Sequence, residues 1–481
     1  MRTSSTNERE QAGVAAREHR SRTSIGEYVP APDRPDPVAL LASQETVRVP
    51  LLLPLRHARM AVSPFTFYRG SAIIMASDLG AMPNSGLITQ LCGDAHLANF
   101  GLFAAPDRSL VFDINDFDET NPGPFEWDVL RLATSFVLAG RDQGLSEEAI
   151  RSAATGAAFG YRTQMAAYAT MTDLEVWYDR ISVDVIEQRM KAEGRTRSRK
   201  NLEKSVAKAR TRDSWSAIAK MTELVDGRRQ FVNSPPLLIR IPLDDAVAGP
   251  ITGLITEYQE TLARDRALLL NHYHVIDLAH KVVGVGSVGL MAMVVLMQGR
   301  DENDLLVLQA KQAVPSVLEP VTAPSAYANM GERVVVGQQI MQGASDVFLG
   351  WIRTQASRDF YLRQLRDMKF APDPTGFDES SLVGYAMLCG RALARAHARA
   401  GDAVVIAGYL GTSAKFDKAV REFALDYVTQ VNEDFSAYQA AIAAGEVAVA
   451  DESKPTDYAF VVTDSGGVEL VDASSGAPTS S

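Results

Sequence analysis

The strongest constraint on how this chain can fold is a dense group of polar residues inside an apolar segment. Residues 90–119 read QLCGDAHLANFGLFAAPDRSLVFDINDFDE, with a turn signal at Ala105-Pro106-Asp107-Arg108. Short apolar runs that alternate with turn residues predict a strand, a loop and then a β-hairpin. The acidic and amide side chains therefore fall in the loop and after the hairpin turn, where they can face each other.

These side chains are of the types that phosphoryl transfer requires. One carboxylate must orient the attacking hydroxyl, while an amide oxygen and a further carboxylate hold Mg²⁺ against the nucleotide phosphates. Asp94 lies at the end of the strand and Asn99 five residues later, and Asp113, Asp116 and Asp118 follow the hairpin turn. The alternative is that these acids only solvate a hairpin and its turn.

A glycine-rich segment far downstream supplies a second part of a nucleotide site. Gly284, Gly286 and Gly289 form a G-x-G-x-x-G pattern, followed by an apolar run, the turn GRDEND and a second run that ends at Lys311. Glycines let backbone N–H groups approach phosphates, and a lysine on the neighbouring strand can reach the α- and β-phosphates. The competing interpretation is a Rossmann turn, in which SVGLMAMVVLM would be a helix. The run MAMVVLM suits a strand at least as well, and no series of βαβ units surrounds it.

Together these motifs resemble the protein-kinase-like superfamily, most closely its aminoglycoside and choline phosphotransferase branch. The resemblance rests on D-x-x-x-x-N at Asp94, on G-D in place of R-D, on Trp127-Asp128 after the metal loop, and on the glycine pattern with its downstream lysine. It implies that Asp94 is the catalytic base, that Asn99 is a metal ligand, and that the glycines and Lys311 hold ATP.

Two assignments stay open within this resemblance. Counting forward from the amide ligand favours Asp113 as the second metal ligand, whereas counting back from the Trp-Asp pair favours Asp116, so both are candidates. The lysine also needs a carboxylate partner on a helix, and Glu332 is the first candidate, with Glu319 the alternative.

Three neighbouring side chains admit a structural or a functional interpretation. His96 is expected to be a structural hydrogen-bonder rather than a base. Arg69, in SPFTFYRG, either reaches a phosphate or packs on its own aromatic neighbours. Cys92 is expected to be a small core residue.

The order of the motifs along the chain is reversed relative to that superfamily, in which the glycine loop and lysine come first. Nothing before residue 87 supplies them, and the helix ending Ala394-Arg395-Ala396-His397 looks like the helix that normally leads into the catalytic loop. We therefore predict an α+β, two-lobed, protein-kinase-like fold that is circularly permuted, with a β-rich nucleotide lobe and a helical catalytic lobe. The expected divisions are a disordered tail at 1–38, a catalytic-loop and helical lobe at 39–225, a β-rich nucleotide-binding lobe at 226–370, C-terminal helices at 371–450 and a flexible tail at 451–481.

Over residues 50 to 445 the sequence also resembles a bacterial family named domain of unknown function 2252. The matching segments are SPFTFYRG, CGDAHLANFG, FDINDFDET, VVGVGSVG, LQAK, SDVFLGW, RQLRDMK and LARAHARAGD. One departure is Gln312 after the lysine, where an acid would be expected. This resemblance implies no activity, so the functional expectation depends on the kinase-like motifs.

Composition and charge limit the partners that this enzyme could have. The chain carries 48 Lys and Arg against 59 Asp and Glu, a net charge of −11, which argues against nucleic acid or an anionic membrane. The stretch 189–212 is positively charged, unlike the chain as a whole. It is interpreted either as a solvated helix face or as a site for an anionic substrate or acidic partner. With no signal peptide and two isolated cysteines, Cys92 and Cys389, a cytoplasmic location is expected.

We therefore expect an ATP- and Mg²⁺-dependent phosphotransferase that acts on a hydroxyl of a small molecule or polymer. The alternatives are an enzyme that transfers AMP and a nucleotide-binding regulatory module without turnover.

Overall fold

The fold combines a large helical body with an antiparallel β-sheet, which confirms the predicted α+β class. The computed structural model describes residues 4–192, 203–204, 206–207, 210, 214–241, 243, 245–282, 284, 286–365, 370–371, 374–451, 458–462 and 468–472. Most of the basic stretch 189–212 lies outside these residues. Within the described part of the chain, no helix combines the length and the apolar character that crossing a membrane demands.

The elements alternate between helical and β-rich stretches along the chain. The described helices are α1 (Thr6–Ala15), α2 (Pro37–Ser43), α3 (Leu53–Met60), α4 (Pro64–Gly70), α5 (Ala72–Gly80), α6 (Phe125–Asp142), α7 (Glu147–Tyr168), α8 (Asp173–Tyr178), α9 (Val183–Ala192), α10 (Ser214–Met221), α11 (Asp245–Glu260), α12 (Arg264–Leu270), α13 (Met330–Met341), α14 (Glu379–Ala400), α15 (Ala403–Leu410) and α16 (Lys415–Ala443). The described strands are β1 (Ile88–Leu91), β2 (Phe100–Ala104), β3 (Leu110–Ile114), β4 (Asn121–Pro124), β5 (Thr222–Val225), β6 (Arg228–Phe231), β7 (Leu238–Ile241), β8 (His274–Lys281), β9 (Ala292–Gln298), β10 (Leu305–Ala313), β11 (Gly350–Arg353), β12 (Asp359–Gln364), β13 (Tyr458–Val462) and β14 (Val468–Asp472).

Six strands form one sheet in the order β11-β12-β10-β9-β8-β7, and every neighbouring pair is antiparallel. Lys311 on the central strand β10 lies opposite Ala292 on β9 and Tyr361 on β12. The glycine-rich segment connects β8 to β9. The apolar run after it is a strand, which excludes the Rossmann interpretation, because that turn requires a helix after the glycines and a parallel sheet.

Helices from both ends of the chain pack into one apolar core, while the sheet has a second core of its own. Helices α7 and α14 pack closely, since a Cβ atom at Gly390 would lie 2.0 Å from the Ala157 carbonyl oxygen. One face of α14 is therefore buried in the helical core. Helix α13 lies between β10 and β11 in the chain.

Residues 4–38 are folded, contrary to the predicted disordered tail over 1–38. Ser5 and Glu8 form a capping box at the start of α1, and Arg9 pairs with Asp402 at 2.7 Å. The helix packs against α15 near the other end of the chain. Arg9 is thus paired with a residue 393 positions away, which local composition cannot indicate.

The predicted flexible tail over 451–481 also contains ordered structure. Strands β13 and β14 pair as a hairpin, and Phe460 and Leu470 are buried against the core of the sheet. The remaining residues of that tail lie outside the described part of the chain.

Candidate active site

Two cavities adjoin at the glycine loop, a name used here for the described residues 284 and 286–289. Their volumes are about 430 Å³ and about 240 Å³, and Asp116, Gly284 and Ser287 line both of them. Lys311 lines the larger cavity, and Asp94 lines the smaller one. Two sequence patterns that are 190 residues apart (284 − 94) therefore meet in space.

One face of α6 holds the loop that carries Asp94. Asp128 accepts hydrogen bonds from the backbone N–H groups of the two residues before Asp94, at 2.8 and 3.1 Å. Arg131 Nε donates to Asp94 Oδ1 at 2.6 Å, and Ser135 Oγ accepts from the N–H of Leu97 at 2.9 Å. Positions that are three and seven residues apart share one face of a helix. The spacing of these side chains on α6 therefore positions the loop.

The backbone before Asp94 requires glycine. Gly93 has a φ of +81°, and a Cβ atom there would lie 2.2 Å from the carbonyl oxygen of Glu119. A side chain would be strained in this conformation and would clash as well. The sharp turn aims Asp94 into the smaller cavity. Burial raises the pKa of the Asp94 carboxyl above its ordinary value, while the charge and hydrogen bond of Arg131 act in the opposite direction.

Asn99 and Asp116 are the two candidate metal ligands that the structure brings together. Asn99 Nδ2 donates to the Asp94 carbonyl oxygen at 2.9 Å, so its Oδ1 remains available for another contact. The N–H of Asn115 donates to the Asn99 carbonyl oxygen at 2.7 Å, which places Asp116 beside it. Asp116 Oδ1 accepts from the N–H of Asp118 at 3.2 Å.

An amide oxygen with one carboxylate is a hard oxygen donor set that suits Mg²⁺. Among the described residues, no group of three or more His, Cys, Asp and Glu side chains forms a metal cluster. Two protein ligands agree with the habit of Mg²⁺, which keeps several waters and phosphate oxygens in its coordination sphere. The residues present therefore fit that ion.

Asp113, the other predicted metal ligand, does not line either cavity. Its side chain is buried, and Oδ1 accepts from Arg395 Nη2 at 2.5 Å. The N–H groups of Ile114 and Gly343 donate to the same carboxylate. This carboxylate is occupied in joining the hairpin to α14, so Asp113 is removed from the candidate ligands and Asp116 remains.

Lys311 is buried on β10 and pairs with Asp118, whose Oδ2 lies 2.6 Å from its Nζ. The hydroxyl groups of Tyr361 and Ser287 donate to the same carboxylate at 2.6 and 3.2 Å. Burial by itself would lower the pKa of Lys311, but the charges of Asp116 and Asp118 outweigh it and raise that pKa. The pKa of Asp118 is lowered, because Lys311 and Tyr361 stabilise the charged form against its burial.

The prediction that Glu332 or Glu319 pairs with Lys311 is wrong. Glu319 instead accepts from the backbone N–H groups of Ser316 and Ser325, at 2.9 and 3.2 Å. Glu332 lies in the first turn of α13, where no ion pair with the lysine forms. The signal that pointed to them was distance along the chain, whereas the actual partner lies 193 residues before the lysine (311 − 118).

A segment that precedes the Asp94 loop, residues 48–59, donates hydrogen bonds to the glycine loop. Arg48 Nη1 donates to the carbonyl oxygen of Val288 at 2.6 Å, and Arg59 Nη1 donates to that of Gly284 at 2.8 Å. The N–H of Val49 donates to the carbonyl oxygen of Gly289 at 2.8 Å. Gly284 lines both cavities and Gly286 lines the smaller one, whereas Gly289 packs against the Arg48 side chain and lines neither.

The three ambiguous side chains all lie beside Asp94. Cys92 is buried in the helical core, as predicted. His96 is buried with Nε2 3.7 Å from Asp94 Oδ2, and burial holds its pKa well below the ordinary value. Arg69 lies over the Phe65 ring at 5.8 Å, as one of the two interpretations expected, and it also lines the smaller cavity.

Sequence reasoning missed Arg131 and assigned no role to Asp118. Arg131 follows the recognised Asp128 by three residues, so helical spacing alone could have indicated it. For Asp118 the sequence showed only one more acid in an acidic turn.

The chain belongs to a bacterial family. The family model described as "Uncharacterized protein conserved in bacteria (DUF2252)" matches residues 48–441. The matched region contains the Asp94 loop, the glycine loop and Lys311. No curated protein and no solved structure matches this chain.

Proposed function

We propose that this protein is an ATP- and Mg²⁺-dependent phosphotransferase that phosphorylates a hydroxyl group. The observation that carries the proposal is the meeting of the Asp94 loop, the glycine loop and Lys311 around two adjoining cavities. Each of these parts is a weak indication when taken singly. Their convergence from distant parts of the chain is what a phosphoryl-transfer site requires.

The described residues take the following roles in the reaction. Lys311 and the glycine-loop backbone hold the ATP phosphates, and Asn99 and Asp116 hold Mg²⁺, which neutralises charge on the β- and γ-phosphates when bound. Asp94 orients the acceptor hydroxyl and accepts its proton. The hydroxyl oxygen bonds to the γ-phosphorus as the bond from that phosphorus to the bridging oxygen breaks, and its electron pair leaves with ADP.

The larger cavity suits the nucleotide. Its volume of about 430 Å³ falls within the roughly 300–1,000 Å³ typical of small-molecule sites. Lys311 and Ser287 line it, as do Gln364 and Leu365 at the end of β12. A nucleotide with its phosphates at Lys311 would therefore extend along the sheet toward β12.

The path of the chain supports a kinase-like arrangement in permuted order. The end of α14 lies beside β1, the strand that leads into the Asp94 loop, with Thr89 Oγ1 3.5 Å from the His397 carbonyl oxygen. His397 Nε2 also contacts Asp128 Oδ2 at 3.2 Å. In the unpermuted order, a helix at this place is expected to precede the catalytic loop. In this chain α14 is instead followed by α15, and β1 is preceded by α5.

Parallel incubations with γ-labelled and α-labelled ATP test the proposal. The full chain is incubated with Mg²⁺ and a deproteinised bacterial extract as the source of acceptors, with Asp94→Asn as the matched control. We expect γ-label on a new small molecule with the native chain and not with the variant. Transfer of α-label would instead show AMP transfer. Nucleotide binding without transfer of either label would show a regulatory module.

A further inference from the structure

The larger cavity has a polar lining that the kinase-like motifs do not explain. Besides Lys311 and Asp116, it is lined by three glutamines, Gln309, Gln338 and Gln342. All three are buried, and Gln309 and Gln338 are only 4% and 5% exposed. A buried amide group without a hydrogen-bond partner destabilises the fold, so each of these groups is expected to meet a partner in the protein or in a ligand.

Arg363 fixes the orientation of the Gln309 amide. Nε and Nη2 of Arg363 both lie 3.4 Å from Gln309 Oε1. A guanidinium group only donates hydrogen bonds, so the oxygen of the amide must be the atom that faces it. The Nε2 of Gln309 lies on the other side of the amide, and it donates to no other described residue. Gln309 therefore offers a hydrogen-bond donor to the cavity that it lines.

Two successive hydrogen bonds fix the orientation of the Gln338 amide. Gln342 Nε2 donates to the carbonyl oxygen of Ile114 at 2.7 Å, which leaves Gln342 Oε1 as the acceptor on the other side of that amide. This oxygen accepts from Gln338 Nε2 at 2.8 Å. The Oε1 of Gln338 accepts no hydrogen bond within the described part of the chain. Gln338 therefore offers an acceptor to the same cavity.

The two amides lie where the base of the nucleotide is expected. Gln309 precedes Lys311 by two residues on β10, so both residues are on the same face of the sheet, with Cα atoms about 7 Å apart. Gln309 lies opposite Arg363, the residue before Gln364 near the end of β12. Helix α13, which carries Gln338, packs against β10 and β12. A nucleotide whose phosphates are at Lys311 therefore brings its base to this part of the cavity.

A donor and an acceptor in one cavity match an edge of adenine. The exocyclic amino group of adenine donates, and the neighbouring ring nitrogens N1 and N7 accept, which is why a glutamine amide can pair with adenine in DNA. In hypoxanthine the exocyclic group is a carbonyl oxygen and N1 carries a hydrogen. The edge that contains N1 therefore presents the opposite pattern.

We propose that Gln309 and Gln338 recognise the base of the nucleotide as adenine, with Gln309 Nε2 donating to a ring nitrogen and Gln338 Oε1 accepting from the exocyclic amino group. This inference rests on the proposed function and deepens it, because it assigns the residues that select ATP among purine nucleotides. Arg363 and Gln342 are positioning residues, since they orient the two amides and act through them.

Two nucleotides that differ only in the base test the inference. The β,γ-imido analogues of ATP and ITP carry the same ribose and phosphates, and each is titrated calorimetrically into the full chain with Mg²⁺. We expect the ATP analogue to bind at least 10-fold more tightly, about 1.4 kcal/mol, because the carbonyl oxygen of the ITP base would face Gln338 Oε1. This comparison uses the native chain, so it does not depend on whether a variant folds.

Variants assign the discrimination to the two glutamines. Gln309→Glu replaces the donor by an acceptor of the same shape, and Gln338→Met removes the acceptor. Each should lower the ratio of the two affinities to 3-fold or less. The added charge of Gln309→Glu acts on both analogues equally, because they carry the same phosphates, so the ratio remains the readout. Gln339→Met, at the exposed neighbouring position of α13, is the matched control and should leave the ratio unchanged.

Two results would overturn the inference while leaving the proposed function intact. One is that both analogues bind the native chain and the ATP analogue is favoured by less than 10-fold. The other is that the native chain discriminates but a folded Gln309→Glu or Gln338→Met protein keeps a ratio above 3-fold, since other groups would then select the base. Failure of both analogues to bind would refute the proposed function, and this inference with it.

Discussion

Lys311 Nζ lies 2.6 Å from Asp118 Oδ2, so the buried lysine of the sheet is neutralised by the turn after the β2–β3 hairpin. Tyr361 and Ser287 donate to the same carboxylate. Asp118 thus joins the glycine loop and the sheet to the turn that carries Asp116. The position of the lysine is set by this turn rather than by α13.

Loss of Lys311 should affect both binding and stability. Lys311→Ala should weaken Mg-ATP binding and also lower the free energy of unfolding by up to about 3 kcal/mol, because it leaves the Asp118 carboxylate unpaired in a largely buried place. Lys311→Met with Asp118→Asn should recover part of that stability. Urea denaturation and calorimetry measure the two effects. Unchanged Mg-ATP affinity in a folded Lys311→Ala protein would remove the lysine from the nucleotide site.

Asp116 and Asp113 should give opposite results when replaced. Asp116→Ala should weaken Mg²⁺-dependent nucleotide binding with little change in stability, since its carboxylate faces the cavities. Asp113→Ala should lower the free energy of unfolding by about 3–5 kcal/mol, because it leaves the buried Arg395 guanidinium without its carboxylate. Nucleotide titrations with and without Mg²⁺, beside urea denaturation, separate the two. A metal effect of Asp113→Ala without loss of stability would reverse the assignment.

Asp94 should act on turnover more than on nucleotide affinity. Phosphoryl transfer depends on positioning and charge neutralisation, so Asp94→Asn should keep Mg-ATP affinity within a few-fold and lose roughly 100-fold or more in turnover. Arg131→Gln, which removes the side chain that orients this carboxylate, should show a similar loss of turnover. Steady-state rates of label transfer measure this. Normal turnover of Asp94→Asn would refute the mechanism.

Stability should depend on pH through Glu119. Burial raises its pKa from 4.5 to about 7, so the folded state holds this proton more tightly than the unfolded chain. The stabilisation is therefore complete below about pH 4.5 and is lost as pH rises to about 7, which amounts to about 1–3 kcal/mol. Glu119→Gln keeps an oxygen that accepts from the N–H of Val317. The free energy of unfolding of this variant should therefore rise relative to that of the native chain as pH increases from 5 to 8. Denaturation midpoints that shift equally in both proteins would exclude this role.

Local patterns predicted much of the fold and part of the site. The hairpin at residues 100–114, the buried helix before Ala400 and the strands on either side of the glycine loop follow from turn residues and apolar periodicity. The residue types of the Asp94 loop and the glycine loop are those that phosphoryl transfer requires, and this predicted that the two loops lie close together. What could not be predicted in this way were the tails, because the ion pair of Arg9 and the burial of Phe460 depend on partners far along the chain.

The sequence by itself determined which residues are of types that can take part in a reaction, since a carboxylate, an amide and glycines at fixed spacing can be recognised without a structure. Only the tertiary structure decided where each of these acids lies and what it contacts. Asp113, Asp116 and Asp118 lie within six residues, yet one is buried against Arg395, one faces the cavities and one neutralises Lys311. Along a strand end and its turn, successive side chains point in different directions, so neighbours in sequence meet different charges, and those charges come from segments about 200 to 280 residues away.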